Sequence, residues 1–296
     1  TTDVPDENIV HNGTHNAIFA VSRGSIRPFL QNIFQFRHLS ALCFLLLLCD
    51  VTDMATIEET ITELARAYNN PIYFETDPII FPKHFYLLMN GEKGLFNEAP
   101  SCNASITLQD VEIAGLVAAH LAWGRRDMIV RDTKRAMDEM GWQPYKYVME
   151  GKYRNSDSSL HRTVKWSEFA RICQNMREYY SEHESVETLS ADQIRVKIYG
   201  QKSNLKMANK KIHMFRRWMV RNDGIVDLGL WKKTDPAELV IPLDVHVHRS
   251  ALKLGITGRK SCDFTTALQI TRYLKRIFPQ DPCLGDFALF AYAASA

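Results

Sequence analysis

Apolar positions recur with helical spacing along most of this chain. Ile57, Ile61, Leu64 and Tyr68 fall at i, i+4, i+7 and i+11, one face of a helix, and Asn69-Asn70-Pro71 closes it. The next stretch is rich in proline and glycine and reads as irregular. Thr107 is placed to cap a helix whose apolar face is Ile113, Leu116, Val117, His120 and Leu121, with a stop at Gly124. The spacing predicts further helices from Arg125 to Met140, from Ser167 onward, from Val245 to Leu254, from Phe264 to Phe278, and in "DPCLGDFALFAYA". "GKYRNSDSSLHRT", Gly151 to Thr163, reads as a polar loop. Few runs alternate with period two and no repeat is visible, so the expected fold class is all-α, without a sheet.

The leading 53 residues break this pattern. They contain no methionine and no clear helical period ahead of "ALCFLLLLC", which is too short to span a bilayer. Residues 1–53 therefore read as an atypical extension, disordered or not native coding sequence, and residues 54–296 as a single helical domain. Six widely scattered cysteines with no CxxC pair indicate neither a zinc ribbon nor a disulfide framework and fit a reducing, cytoplasmic setting. A net charge of +2 announces no partner by itself.

Charge becomes informative only where it is concentrated. Gln193 to Asn222 holds Arg195, Lys197, Lys202, Lys206, Lys210, Lys211, Arg216, Arg217 and Arg221 and no acid. Drawn as one helix at about 100° per residue, Leu205, Ala208, Ile212, Phe215 and Met219 form a dry face. Lys206, Lys210, His213, Arg217 and Arg221 gather opposite. A row of cations repels itself, whereas solvated faces usually mix signs, so something anionic is expected to lie against it. A nucleic-acid phosphate backbone fits that need better than an acidic protein surface.

"IPLDVHVHRSALKLG", Ile241 to Gly255, carries the most chemistry. Asp-x-His-x-His suggests a metal motif, but on a helix His246 and His248 lie about 200° apart and cannot share an ion. No metal and no cofactor are expected. Pro242 before Asp244 and Gly255 after the apolar run make Asp244 a helix N-cap. A cap needs nothing more.

The same segment resembles endonuclease III-type DNA glycosylases of the helix-hairpin-helix superfamily, in which an Asp follows a short apolar run and precedes Thr/Val-His-x-x-Arg. The larger unit, "KKIHMFRRWMVRNDG…DLGLW…IPLDVHVHR" with "LAWGRR" and "DPCLGDFALF", resembles an uncharacterised bacterial family that is a distant branch of that superfamily. The resemblance implies a two-lobed helical fold with duplex DNA across the cleft, a catalytic Asp244, and a nucleophilic lysine that forms a Schiff base at an abasic site. Counting from Leu205 places the nucleophile at Lys211, while the uncharacterised family keeps its lysine at the position of Lys210; both stay candidates. The glycosylase hairpin is glycine-rich, whereas "LKMANKK" here has no glycine. An iron-sulfur cluster is not expected, because only Cys262 and Cys283 follow Asp244.

The expected function is removal of a damaged base from DNA; the alternative is a non-catalytic nucleic-acid binder that keeps the fold. DNA contacts are expected from Lys206, His213, Arg217, Arg221, His246 and Arg249, with Arg125 and Arg126 at the end of "LAWGRR". Trp123, Trp218 and Trp231 are candidates to stack on an extruded base or to fill the core. His161 and Arg162 line the cleft or are solvated, and the insertion "NDGIVDLGLWKKTDPAEL" is a candidate lid or an altered lesion pocket.

Overall fold

The computed structural model describes residues 56–97 and 105–295. The extension assigned to residues 1–53 lies outside the described residues. The protein is mostly helical, as the periodicity requires. Helix α1, Ile57–Tyr68, is opened by Thr56, whose side chain accepts from the Glu59 backbone while the Glu59 carboxylate accepts from the Thr56 backbone. Its face is narrower than the spacing suggests, with Ile61 and Leu64 buried and Ile57 exposed.

Helix α2, Ile80–Met89, lies in the stretch read as irregular. Pro82 is the third residue of that helix, where the missing N–H deprives no intrahelical bond. Helix α3, Leu108–Leu121, is the centre of the fold: every residue from Asp110 to Leu121 is buried. It packs against α2, α4 (Arg126–Glu139), α5 (Pro144–Glu150) and, later in the chain, α8 (Lys210–Val220), which explains why it is buried all round rather than on one face. Each fully buried Leu, Ile or Val there contributes roughly 1.5–3 kcal/mol.

A polar group on this dry helix must be satisfied. Glu112 accepts from the Tyr180 and Ser185 hydroxyls, the Val186 N–H and the Trp231 indole, tying three distant segments to α3.

The polar loop is not entirely loop. Ser159–His161 (β1) pairs antiparallel with Val164–Lys165 (β2), and Leu160 and His161 are fully buried. The stretch is too short for a period-two signal. Helix α6, Trp166–Tyr180, follows, then α7, Ala191–Gln193, which continues as π turns over Ile194–Ile198. Helix α8 spans Lys210–Val220, α9 Val245–Lys253, α10 Phe264–Ile277 and α11 Leu284–Ser295. Helix α11 packs along α1 and against α9.

Helix α8 starts later than expected. Leu205 is 74% exposed and belongs to the loop between α7 and α8, not to the dry face. Nor is the insertion after α8 a lid. The N–H groups of Leu228 and Trp231 donate to the carbonyls of Trp218 and Met219, and Leu228 and Trp231 are buried beside the helix they follow. Trp218 and Trp231 are core residues.

Candidate functional site

The last part of the loop before α8, Leu205 to Asn209, contains no glycine yet makes the turn that glycine would allow. Asn209 takes a left-handed backbone, φ 46° and ψ 40°, which asparagine tolerates better than most residues. Arg195 helps to fix the loop: its guanidinium donates to the Lys202 carbonyl and to Oδ1 of Asn209. Asp192 accepts from the Ser203 hydroxyl and the Asn204 N–H. The turn delivers Lys210 and Lys211 as the first two residues of α8, where a helix favours negative charge over positive.

The N-termini of α8 and α9 meet at a cleft of about 770 Å³. Its wall includes Asp77, Trp123 and Arg126, then Arg195, Lys210 and Lys211, and, from later in the chain, Asp244, His246, Asp286 and Phe290. Oδ1 of Asp244 accepts from the His246 and Val247 N–H groups at 2.9 and 3.0 Å, the N-cap that the sequence predicts. Its other oxygen lies 3.7 Å from Nζ of Lys210. One carboxylate thus caps α9 and still presents an oxygen to a lysine in the cleft.

Lys211 points elsewhere. Its Nζ donates to the His120 carbonyl and lies 5.6 Å from the centre of the Trp123 ring. Burial, and then the neighbouring Lys210 charge, lower its pKa to about 8, so an appreciable fraction is neutral at physiological pH.

Trp123 is the candidate platform that reaches the cleft, and it is firmly placed. Gly124, at φ 98°, turns the chain out of α3, and the Arg162 guanidinium stacks 4.3 Å from the Trp123 ring centre. His161 braces this turn from below, with Nδ1 2.8 Å from Asp132 and Nε2 2.9 Å from the Trp123 carbonyl. His161 is therefore a buried support, while Arg162 sits at the platform.

The cationic face read from the sequence is corrected by the structure. His213 is buried and stacked on Phe264, and burial, with Arg216 nearby, lowers its pKa to about 4. Arg217 and Arg221 are buried too. Arg217 bonds Asp286 at 3.0 Å and approaches Asp227 at 3.5 Å, while Arg221 engages Asp227, Asp223 and Asp281. The anionic partner inferred for that face exists, but for these arginines it is the protein's own carboxylates. His213, Arg217 and Arg221 are not placed to touch a nucleic-acid backbone.

The remaining candidates fall in two groups. Lys206 is exposed on the loop beside the cleft, Arg126 reaches toward Asp77 at 4.0 Å, and His246 is exposed at the mouth. Arg125 is exposed but held by Asp127, and Arg249 is exposed further along α9. His248 is buried with Nε2 on the Arg259 carbonyl, away from His246, and among the described residues no three His, Cys, Asp or Glu side chains converge on a metal position.

Sequence reasoning missed Asp77 and Asp286. Asp286 is buried and Asp77 half-buried at the cleft, and desolvation raises the pKa of both, Asp286 to about 6. No local pattern could have flagged them, since Asp77 sits in an apparently irregular segment and Asp286 in the last helix.

Among the described residues no helix is long and apolar enough to cross a membrane. No curated protein and no solved structure matches the chain. A family model described as "Protein of unknown function (DUF2400)" matches residues 102–207 and 193–295, segments that include the α3 turn, both lysines, Asp244 and Asp286, and the chain belongs to that family.

Proposed function

We propose that this protein binds duplex DNA across the cleft and removes a damaged base, as helix-hairpin-helix glycosylases do, with Asp244 as the essential carboxylate and Lys211 as the nucleophile. The observation that carries this reading is the convergence of Asp244, Lys210 and Lys211 at the facing N-termini of α9 and α8. The cleft volume of about 770 Å³ is in the range that accepts one ligand of nucleotide size. Trp123 supplies a face on which an extruded base can stack.

The roles divide by environment. Lys211 is desolvated, which favours the neutral amine that a nucleophile requires. Lys210 faces Asp244 and is suited to orient it or to meet a phosphate. Asp244, held by two backbone N–H groups, stabilises positive charge on the sugar as the base departs. Lys206, Arg126, His246 and Arg249 supply backbone contacts; Arg125 does so on release from Asp127. Asn209 in the left-handed region supports the hairpin reading despite the missing glycines.

A non-catalytic nucleic-acid binder is the second reading, favoured by the loss of Arg217 and Arg221 to internal ion pairs. Asp244→Asn separates the two. The glycosylase reading expects turnover to disappear with DNA affinity nearly unchanged; the binder reading expects at most a slightly weakened cap, about 1 kcal/mol of stability or less. Retained turnover in that variant would exclude Asp244 from the chemistry.

A further inference from the structure

We propose that Asp286 is the acid that delivers a proton to the departing base, so that the cleft works with two carboxyl groups in different roles. The proposal rests on the base-removal reading. Asp286 stands in the first turn of α11 and lines the cleft together with Asp244, Lys210 and Lys211. Its Oδ2 accepts from Arg217 at 3.0 Å, which fixes the carboxyl group, while its Oδ1 is buried without a hydrogen-bond partner. A buried oxygen left unmatched is costly, and the cost falls away when the group carries a proton or meets a ligand donor or acceptor.

The contrast with the other cleft carboxylates singles it out. Both oxygens of Asp244 are occupied, one by backbone N–H groups and the other facing Lys210. Asp77 is occupied by the Ile79 N–H and approached by Arg126. The charges around Asp286 come from three elements: Arg217 and Lys210 on α8, which favour ionisation, Asp244 at the start of α9, which opposes it, and Cys283 just before α11. Burial outweighs the cations and brings the group to about 6, so a working fraction holds a proton near neutrality.

The step balances without another reactant. The bond from C1′ to the base nitrogen breaks with its electron pair leaving on the base, and the Asp286 proton joins that base. The neutral Nζ of Lys211 forms the new bond to C1′, and its surplus proton passes to the carboxylate that Asp286 has become. At an abasic site there is no base to protonate: the aldehyde oxygen leaves as water carrying both protons of the attacking Lys211 amine, so that step balances without a proton from Asp286.

That difference is the test. Duplex DNA containing uracil or 8-oxoguanine is assayed for base release, and duplex DNA containing an abasic site for a borohydride-trapped adduct, with the parent protein, Asp286→Asn and Asp286→Glu. The expected result is that Asp286→Asn lowers base release about 100-fold or more while adduct formation stays within about twofold, and that Asp286→Glu recovers part of the release. With an acid near 6 and a nucleophile near 8, release by the parent should peak near pH 7 while adduct formation keeps rising toward pH 8. The two pH profiles decide the matter even if Asp286→Asn fails to fold.

Equal loss of both activities, unaffected release, or identical pH profiles overturn the role of Asp286 and leave the base-removal reading standing. Adduct formation without release of either base by the parent also overturns it. Absence of both activities in the parent overturns the reading itself and this inference with it.

Discussion

The two ends of helix α8 carry the same kind of residue and treat it in opposite ways. At the N-terminus Lys210 and Lys211 open onto the cleft, one across from Asp244 and the other against Trp123. At the C-terminal end Arg217 and Arg221 are 6% and 1% exposed and are enclosed by Asp223, Asp227, Asp281 and Asp286. A run of cations therefore reports that anions are near without saying whose they are. Arginine suits the enclosed end because its planar fork can engage several carboxylates at once, and lysine the cleft because burial can neutralise it.

The largest effect should come from breaking the enclosed end. Arg221→Met leaves Asp227 and Asp281 without their main cation and is expected to cost about 3–5 kcal/mol in urea unfolding. Lys210→Met, which removes half of a partly exposed pair, is expected to cost less than about 1 kcal/mol. Similar costs for both would erase the contrast.

Asp286 joins the two ends, and it makes stability depend on pH. Its pKa in the folded protein, about 6, lies above its ordinary 3.8, so the native state holds this proton more tightly than the unfolded chain. The stabilisation it gives is complete below about pH 4 and is lost as pH rises toward about 6, by up to roughly 3 kcal/mol. Unfolding free energies of the parent minus those of Asp286→Asn should therefore fall across that window; a flat difference would contradict the burial of an unmatched carboxyl.

Smaller effects belong to the cleft rim. Gly124→Ala places a Cβ 2.5 Å from the Arg162 guanidinium at a φ of 98°, and should cost about 1 kcal/mol or more while dislodging Arg162 from Trp123, visible as a change in tryptophan fluorescence. Lys206→Ala should reduce the slope of log affinity against log salt by about one, uniformly across DNA sequences. An unchanged slope would remove Lys206 from the contact surface.

Legibility in the sequence followed locality. Thr107, Asp244 and Gly124 could be placed from sequence alone because caps and stops depend on a few neighbouring residues. Lys210, Lys211 and Asp244 were named together because they share a chain order with the glycosylases, although nothing local says that α8 and α9 meet. Helix α2 was missed because Pro78 and Pro82 suggest breakage, while the early position of Pro82 makes it harmless. The fate of Arg217 and Arg221 was only half readable: Asp223 and Asp227 follow within a few residues, whereas Asp281 and Asp286 arrive from 60 and 69 residues away. Asp286 and Asp77 escaped for the same reason, since a carboxyl group becomes unusual only through what buries it.

The central claim is that the cleft end of α8 performs amine chemistry on DNA. The most direct test incubates the protein with duplex DNA containing an abasic site, adds borohydride, and compares the covalent adduct with those of Lys210→Ala and Lys211→Ala. The account predicts an adduct that persists in Lys210→Ala and vanishes in Lys211→Ala; no adduct, or one that survives in Lys211→Ala, would contradict it.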